Sequence, residues 1–486
     1  MSSKQKNFFG IVVIGSGLSS LSFIHSYLGK KGSKKIDVIS PELNETFDKN
    51  NNLHSHIYKY LPPQMLGKLK NVKNYFFYNK FFVNKNCKVL GSLEFGGLSN
   101  YWALQMDHNI SDDIRHLNNT ARKKLSGSFF ELVKKLRLLG EFKLNNKSFK
   151  NDYEIDSIFK SLLEKKTIKD FRVTKPILAY SNTNLFLKKN SLKQKINLIN
   201  ENRDKLTAKN YYNKFLKNKN IRFHNYVVNK IYIKKNRIGL VCQNKDQKKI
   251  FYAKKVIMAC GTLVTTKLIL ELLNIRSEIK IKHHPRLITA FLSKSKIEND
   301  MTFMPSTLHI KSKNSINTFA ADFRPGNKLI INSAAKIKKY LFPFKIFLNL
   351  FRKYIIFSNI FFDSKYSNLF MKLRKNNSAI IYSKKKHTLS FFKKIQKKIF
   401  KLFLMEKLVY PFFNINFPGF GYDFHYFGTI PITNNNKKLS VNDQCQLKGF
   451  KNIYIIDGSV FDFKINKYPL GAIMANASRI GKEIKK

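Results

Sequence analysis

The sequence predicts an α/β fold that opens on a dinucleotide-binding βαβ unit, and three features carry that expectation. A β-branched run at Ile11–Ile14 ends in Gly15-Ser16-Gly17 and passes into a helical repeat. Short strands between 221 and 259 lead into a second glycine turn and helix, and a strand, a turn and a helix close the chain over 452–484. A short apolar run bounded by glycine suits a central parallel strand buried on both faces, whereas apolar residues three and four apart mark a helix packed upon it.

Taken in order, Leu21, Ile24 and Leu28 give Ser19–Leu28 its helical spacing, and Lys35–Ile39 reads as the second strand. Residues from about 50 to 90 are polar and irregular, with aromatic clusters at Tyr75–Tyr78 and Phe81-Phe82. The region 110–205 is highly charged, with helical stretches such as Phe129–Leu139. Strands follow at Arg222–Val228, Lys230–Lys234, Ile238–Gln243, Ile250–Ala253 and Val256–Ala259, the last running through Cys260-Gly261-Thr262 into a helix at Leu263–Leu273. The stretch 300–335 is strand-like, and 336–408 is dominated by Lys, Phe, Ile and Leu. The strand Asn452–Ile456 precedes Asp457-Gly458 and a helix over Leu470–Ile484.

With 486 residues, 43% of them hydrophobic and 14% aromatic, the chain can bury a large core, which excludes a largely disordered protein. Its four cysteines (Cys87, Cys242, Cys260, Cys445) show no CxxC or metal-ligand spacing. That argues for a reducing compartment and against a disulfide framework or a structural zinc site. Lys and Arg number 90 against 30 acids, a formal net charge of +60. Charge of that size suits nucleic acid or an anionic membrane. A nucleic-acid binder concentrates it on one face or element, however, whereas here it is spread along a chain rich in Lys, Asn, Ile and Phe, as a compositional bias would spread it. No nucleic-acid partner is expected. Lys4, Lys6 and the apolar run after them superficially resemble a secretory signal, but cleavage there would remove the glycine turn. No run reaches the roughly 18 consecutive apolar residues of a membrane span, so a cytoplasmic protein is expected.

Three motifs carry chemistry. In Gly15-x-Gly17-x-x-Ser20 the glycines permit a tight turn and close approach of a pyrophosphate, and the helix behind supplies amide hydrogens and a partial positive charge. The residue ending the second strand, often acidic to hold a ribose, is Ser40, with Glu42 just beyond. Gly96-Gly97-Leu98-Ser99-Asn100-Tyr101-Trp102 suits a backbone lying against a planar ring, and reads equally as a bare glycine turn. The C-terminal block holds His425-Tyr426-Phe427-Gly428-Thr429, Asn452–Ser459 with Asp457-Gly458, and Tyr468-Pro469-Leu470-Gly471.

In this order the motifs resemble the glucose–methanol–choline oxidoreductases, with the Gly-Gly-x-Ser-x-x-Trp string closer to the pyranose-oxidase and sugar-dehydrogenase branch. The resemblance covers roughly the first 110 residues, 205–290, and everything after about 420. It implies a Rossmann-like FAD-binding domain interleaved with an α+β substrate domain built on an antiparallel sheet. The FAD-binding domain would comprise 1–110, 206–290 and 421–486, with a variable region at 111–205 and the substrate domain at 291–420. It also implies that Gly15, Gly17 and Ser20 hold the FAD pyrophosphate, with Ser40 toward the ribose and Val228 meeting the adenine through its backbone. Gly96, Gly97, Ser99 and Asn100 would line the flavin, Gly261, in the turn after the Val256–Ala259 strand, would also contact the cofactor, and Asp457-Gly458 would close over the ribityl chain and pyrophosphate. His425 would be the base: an imidazole titrating near neutrality can take the alcohol proton as a hydride leaves for the flavin. Tyr468 stands where the family has a second histidine or asparagine; a phenol can donate to a substrate oxygen but is a poor base at neutral pH. His283 stands for the aspartate of the family's Asp-His-Pro turn, and His283 and His284 read as structural. Tyr101 stands where a covalently linking histidine would be, so the FAD is expected to be non-covalent.

The implied activity is oxidation of an alcohol carbon of a sugar, or of a glycan-type substrate, by a dehydrogenase or an oxidase whose electron acceptor the sequence does not name. A non-catalytic flavin-fold binding or scaffold protein in glycan assembly is the alternative that Ser40 and Tyr468 leave open. Within Phe391–Phe403, Phe391, Phe392, Ile395, Ile399, Leu402 and Phe403 gather on one helical face with lysines opposite. That pattern fits a helix lying at the anionic inner face of a membrane, with Leu341–Phe357 beside it, and equally a surface helix packed on a core.

Overall fold

The computed structural model describes residues 8–29, 35–41, most of 82–179, 206–208, 212, 219–297 (less 245–246), 308–326 (less 314–318), 343–384 (less 344), 389–464 (less 436) and 468–484. One sheet forms the dinucleotide-type half. Its strands run in the order Ile221–Asn225, Ile36–Ser40, Phe8–Ile14, Gln247–Met258, Arg237–Asn244, Val227–Lys234, with Ile453–Ile455 also paired to Gln247–Met258. The first four and Ile453–Ile455 are mutually parallel, as buried β-branched runs between helices should be. Helix Leu470–Glu483 packs against both Leu18–Leu28 and Asn119–Lys135, and Thr262–Leu272 follows the long strand.

That long strand, read from sequence as two, is one 12-residue element whose apolar pattern is interrupted by the exposed Lys254. Its first half pairs antiparallel with Arg237–Asn244; its second half pairs parallel with Phe8–Ile14 on one side and Ile453–Ile455 on the other. It therefore joins the hairpin region and the parallel region into one rigid surface.

The second sheet is antiparallel, in the order Val409–Asn416, Arg286–Ser293, Ile355–Phe362, Phe319–Pro325, Leu308–Ser312, Phe171–Thr174, Thr167–Ile168. Alternation gives it two unlike faces. Leu287, Phe291, Leu308, Ile310, Phe323, Ile360 and Phe362 point to one side and form a separate hydrophobic core. The other side carries Arg286, His309, Asp322, Arg324, Asn359 and Phe361, in register across the strands.

The apolar side is covered by the lysine-rich helix, which spans Leu389–Met405. Phe392, Ile395, Ile399, Leu402 and Phe403 are buried there, with the Phe392 ring 3.9 Å from that of Phe362 and the Phe403 ring 4.7 Å from that of Phe323. Core packing thus occupies the face that sequence alone left open to a membrane interface. Ile346, Phe347 and Leu350, on the short helix Lys345–Leu350, and Phe351 just after it are exposed apolar residues of the neighbouring stretch. No helix among the described residues is long and apolar enough to cross a membrane. Phe403→Ala is expected to lower unfolding free energy by about 3–5 kcal/mol in denaturant titration, whereas Lys397→Glu on the opposite face should change it by less than about 0.5 kcal/mol.

Candidate active site

The site is assembled at the carboxyl ends of the parallel strands, where open α/β sheets receive ligands. Gly15 leaves the first strand with φ +104°, and a Cβ there would lie 2.4 Å from the Ala259 carbonyl oxygen, so only glycine lets the two strand ends touch. Ser16 is the hub. Its hydroxyl hydrogen-bonds that of Ser40 at 2.7 Å and accepts from the Gly96 amide at 2.9 Å. The first glycine turn, the end of the second strand and the Gly96-Gly97 turn are thereby brought together, although Ser16 is only an unspecified position in the motif. Ser99 keeps that second turn closed: its hydroxyl donates to the Gly96 carbonyl at 2.6 Å and accepts from the Ala208 amide at 3.2 Å.

Two other glycines are spaced for a different reason. Among the described residues, a Cβ at Gly17 would meet nothing nearer than the Gly96 carbonyl oxygen at 3.9 Å, and one at Gly261, whose φ of +81° itself favours glycine, would meet nothing within 4 Å. Both residues cap helix N-termini without a side-chain hydrogen bond. The protein's own packing does not demand glycine at Gly17; bare amides with open space before them fit a diphosphate lying across the helix end. Ser20 is fully buried, with its hydroxyl 2.9 Å from that of Tyr212. Val228 is buried at a bulge in the strand Val227–Lys234. Asn100 ends the short helical turn Gly97–Asn100, while Tyr101 and Trp102 lie outside the described residues.

The C-terminal motifs dock on the helix Thr262–Leu272. The Thr262 hydroxyl donates to the Tyr426 carbonyl at 2.6 Å, Thr265 donates to Asp457 Oδ2 at 2.5 Å, and the Thr266 and Thr429 hydroxyls lie 2.6 Å apart. Gly458 has no room for a Cβ, which would lie 2.9 Å from Thr262 Oγ1. Asp457 also accepts from the amide and hydroxyl of Ser459, so its carboxylate holds the loop in shape; burial raises its pKa against those donors.

His425 lies in this framework among groups from three other segments. Its ring stacks on Phe361 (5.4 Å, 22°) and meets His284 edge-on at 5.9 Å. Its Nδ1 is buried without a hydrogen-bond partner, and the residue is partly accessible, which leaves Nε2 as the ring nitrogen at the open edge. Burial pushes the imidazole down to about 4, against the pull of Asp423 and helped by Arg286 and His283. The expected near-neutral imidazole is therefore a neutral one throughout the physiological range. Asp423, two residues upstream, accepts from His283 Nδ1 (2.7 Å), the His284 amide (3.0 Å) and the His425 amide (3.2 Å). Burial alone would raise its pKa, but His283, His425 and His284 hold it lowered. His283 and His284 thus brace the turn that carries His425.

Tyr468 reaches the same cluster, its ring 6.5 Å from that of Phe361 and 4.9 Å from that of His309. Sequence reasoning gave its phenolic proton to a substrate oxygen. In the structure the hydroxyl donates to Asp322 Oδ2 at 2.8 Å, because the polar face of the antiparallel sheet sets that buried carboxylate beneath it. Asp322 also accepts from the amide and side chain of Asn359 and from Arg324. Asp322, Phe361, Arg286 and Asp423 carry no motif of their own; a lone aspartate two residues before the histidine was the single available cue.

No protein-family model matches the chain, and no curated protein is similar to it in sequence. Among solved structures, pyridoxine 4-oxidase from Mesorbium loti superposes with a TM-score of 0.57 at 12% identity, over 98% of this chain and 99% of that one. At that identity the likeness is one of fold: an α/β architecture in which a Rossmann-like, dinucleotide-type domain is interleaved with an α+β domain built on an antiparallel sheet.

Proposed function

We propose that this protein is an FAD-dependent oxidoreductase of the glucose–methanol–choline type that oxidises a CH–OH group, with a sugar or glycan-type compound as substrate. The observation that carries the reading is the convergence of a glycine turn, the bare helix end that it opens and the segment of His425 onto one end of one sheet. The fold neighbour is by name an oxidase, which supports an oxidoreductase. Gly15, Gly17 and the amides behind them would hold the diphosphate, Ser40 and Val228 would lie toward the adenosine end, and the Gly96–Asn100 turn would lie along the flavin. Bound there without a covalent link, FAD supplies a hydride acceptor.

The chain's own part is proton handling and orientation. In the tautomer that carries its one proton on Nδ1, the Nε2 of His425 would take the hydroxyl proton of an alcohol at the open edge, burial keeping the ring uncharged and so able to accept it. The Asp423 carboxylate holds the His425 amide and stabilises the cation that forms. Phe361 fixes the plane of the ring, and Tyr468, held by Asp322, lies against the edge of Phe361.

The purified protein is expected to be yellow and to release its flavin on acid precipitation; a flavin that stays with the pellet contradicts non-covalent binding. Gly17→Ala should leave the unfolding midpoint of the flavin-free protein unchanged yet weaken flavin binding at least tenfold, about 1.4 kcal/mol, as read by fluorescence titration. His425→Ala should keep the flavin and slow its anaerobic reduction by substrate by about 10²–10⁴-fold. Because the reactive form is the neutral imidazole, the reduction rate should be flat from pH 8 to 5 and fall as pH drops through about 4. Loss of rate through about 6.5, the value of an unperturbed histidine, would show that the buried environment does not persist in the working enzyme.

A further inference from the structure

Resting on the reading above, we propose that Arg286 binds an oxyanion of the substrate, a carboxylate or phosphate, so that the compound oxidised is an acidic alcohol rather than a neutral one. Arg286 opens its strand in register with Phe361, the residue stacked on His425, and the two side chains share the polar face of the sheet. Its guanidinium carbon lies 4.4 Å over the Tyr422 ring and 5.9 Å from the rings of Phe361 and Phe424. Aromatic rings on these sides hold the guanidinium in place.

The hydrogen-bond account of the group is incomplete. Of the five N–H donors of a guanidinium, one at Nη2 goes to the Tyr422 carbonyl at 3.0 Å, the Tyr422 side chain is also hydrogen-bonded to Arg286, and Nε is buried with no partner among the described residues. Among the described residues Arg286 forms no ion pair, although two carboxylates act on it electrostatically. Both are committed elsewhere. Asp423 is taken by His283 and by the amides of His284 and His425, and Asp322 by Arg324, Asn359 and Tyr468. A buried cation with unmet donors is costly, and two parallel N–H groups match the paired oxygens of a carboxylate or phosphate. Through Phe361 the guanidinium is within a side chain's breadth of His425, which sets the acidic group and the reacting hydroxyl on one small molecule.

The test uses the purified flavoprotein without turnover. Glucuronate and its neutral counterpart glucose, together with acetate and inorganic phosphate, are titrated by calorimetry and by the shift of the flavin absorption band. Glucuronate should bind at least tenfold more tightly than glucose, and whichever of acetate or phosphate competes with it more strongly identifies the oxyanion. Arg286→Gln should bring glucuronate down to the affinity of glucose at unchanged flavin content, and Arg286→Lys should retain part of the preference. Equal binding of acid and neutral sugar, failure of every oxyanion to bind, or an acid preference that survives Arg286→Gln overturns the proposal. If Arg286→Gln does not fold, competition between glucuronate and the two small anions in the wild type still decides. Flavin content is read separately, so a colourless protein sinks the oxidoreductase reading, while a yellow protein indifferent to charge sinks only the role of Arg286.

Discussion

Three buried threonines on one helix hold the candidate site together. Thr262, Thr265 and Thr266 each engage a segment from the last part of the chain, at Tyr426, Asp457 and Thr429. Hydroxyls are short, so the bonds form only if the C-terminal backbone packs directly against the helix, and Gly458 permits that approach. Each bond is worth about 1 kcal/mol, but leaving any of these buried groups unmatched would cost more. What they fix is position: the histidine turn and the glycine turns become parts of one surface although some four hundred residues separate them in the chain.

The parts of the site that sequence revealed are those whose reason is local. A glycine at a strand end, a histidine in a Gly-Thr context and a strand–turn–helix order are each contained in a few consecutive residues. The parts it concealed depend on register. Arg286 meets Phe361, and Asp322 meets Asn359 and His309, only through cross-strand pairing of segments far apart in sequence, and nothing in either segment announces its partner. Fold was legible on the same terms. The βαβ opening and the closing helix were evident from periodicity, while the long strand was divided at Lys254 because an exposed lysine at the sheet surface breaks the apolar run without breaking the strand. For the helix Leu389–Met405 the amphipathic pattern was plain; what covered its apolar face could be known only from three-dimensional packing.

The electrostatics around His425 follow from economy of burial. Two carboxylates and the Arg286 guanidinium act on the imidazole, yet Asp423 is matched by backbone amides and His283, and Asp322 by Arg324 and Asn359. With the acids so occupied, desolvation is the largest influence on the ring, and it favours the uncharged form. A chain with a formal net charge of +60 thus has an interior in which the two acids beside His425 are each matched, while Arg286 keeps unmet donors. The charge of the surface says little about the chemistry within.

The two-faced antiparallel sheet has a mechanical consequence. Phe323 is pressed against Phe403 on the rear, while its chain neighbours Asp322 and Arg324 stand at the front beside Tyr468. A pleated strand cannot tilt one side chain without tilting the next, so a change of a single methylene in the rear layer is transmitted to the front. Selectivity in such a molecule can drift through substitutions that never touch a ligand, and variants selected for altered substrate use should be sought as readily behind the sheet as before it.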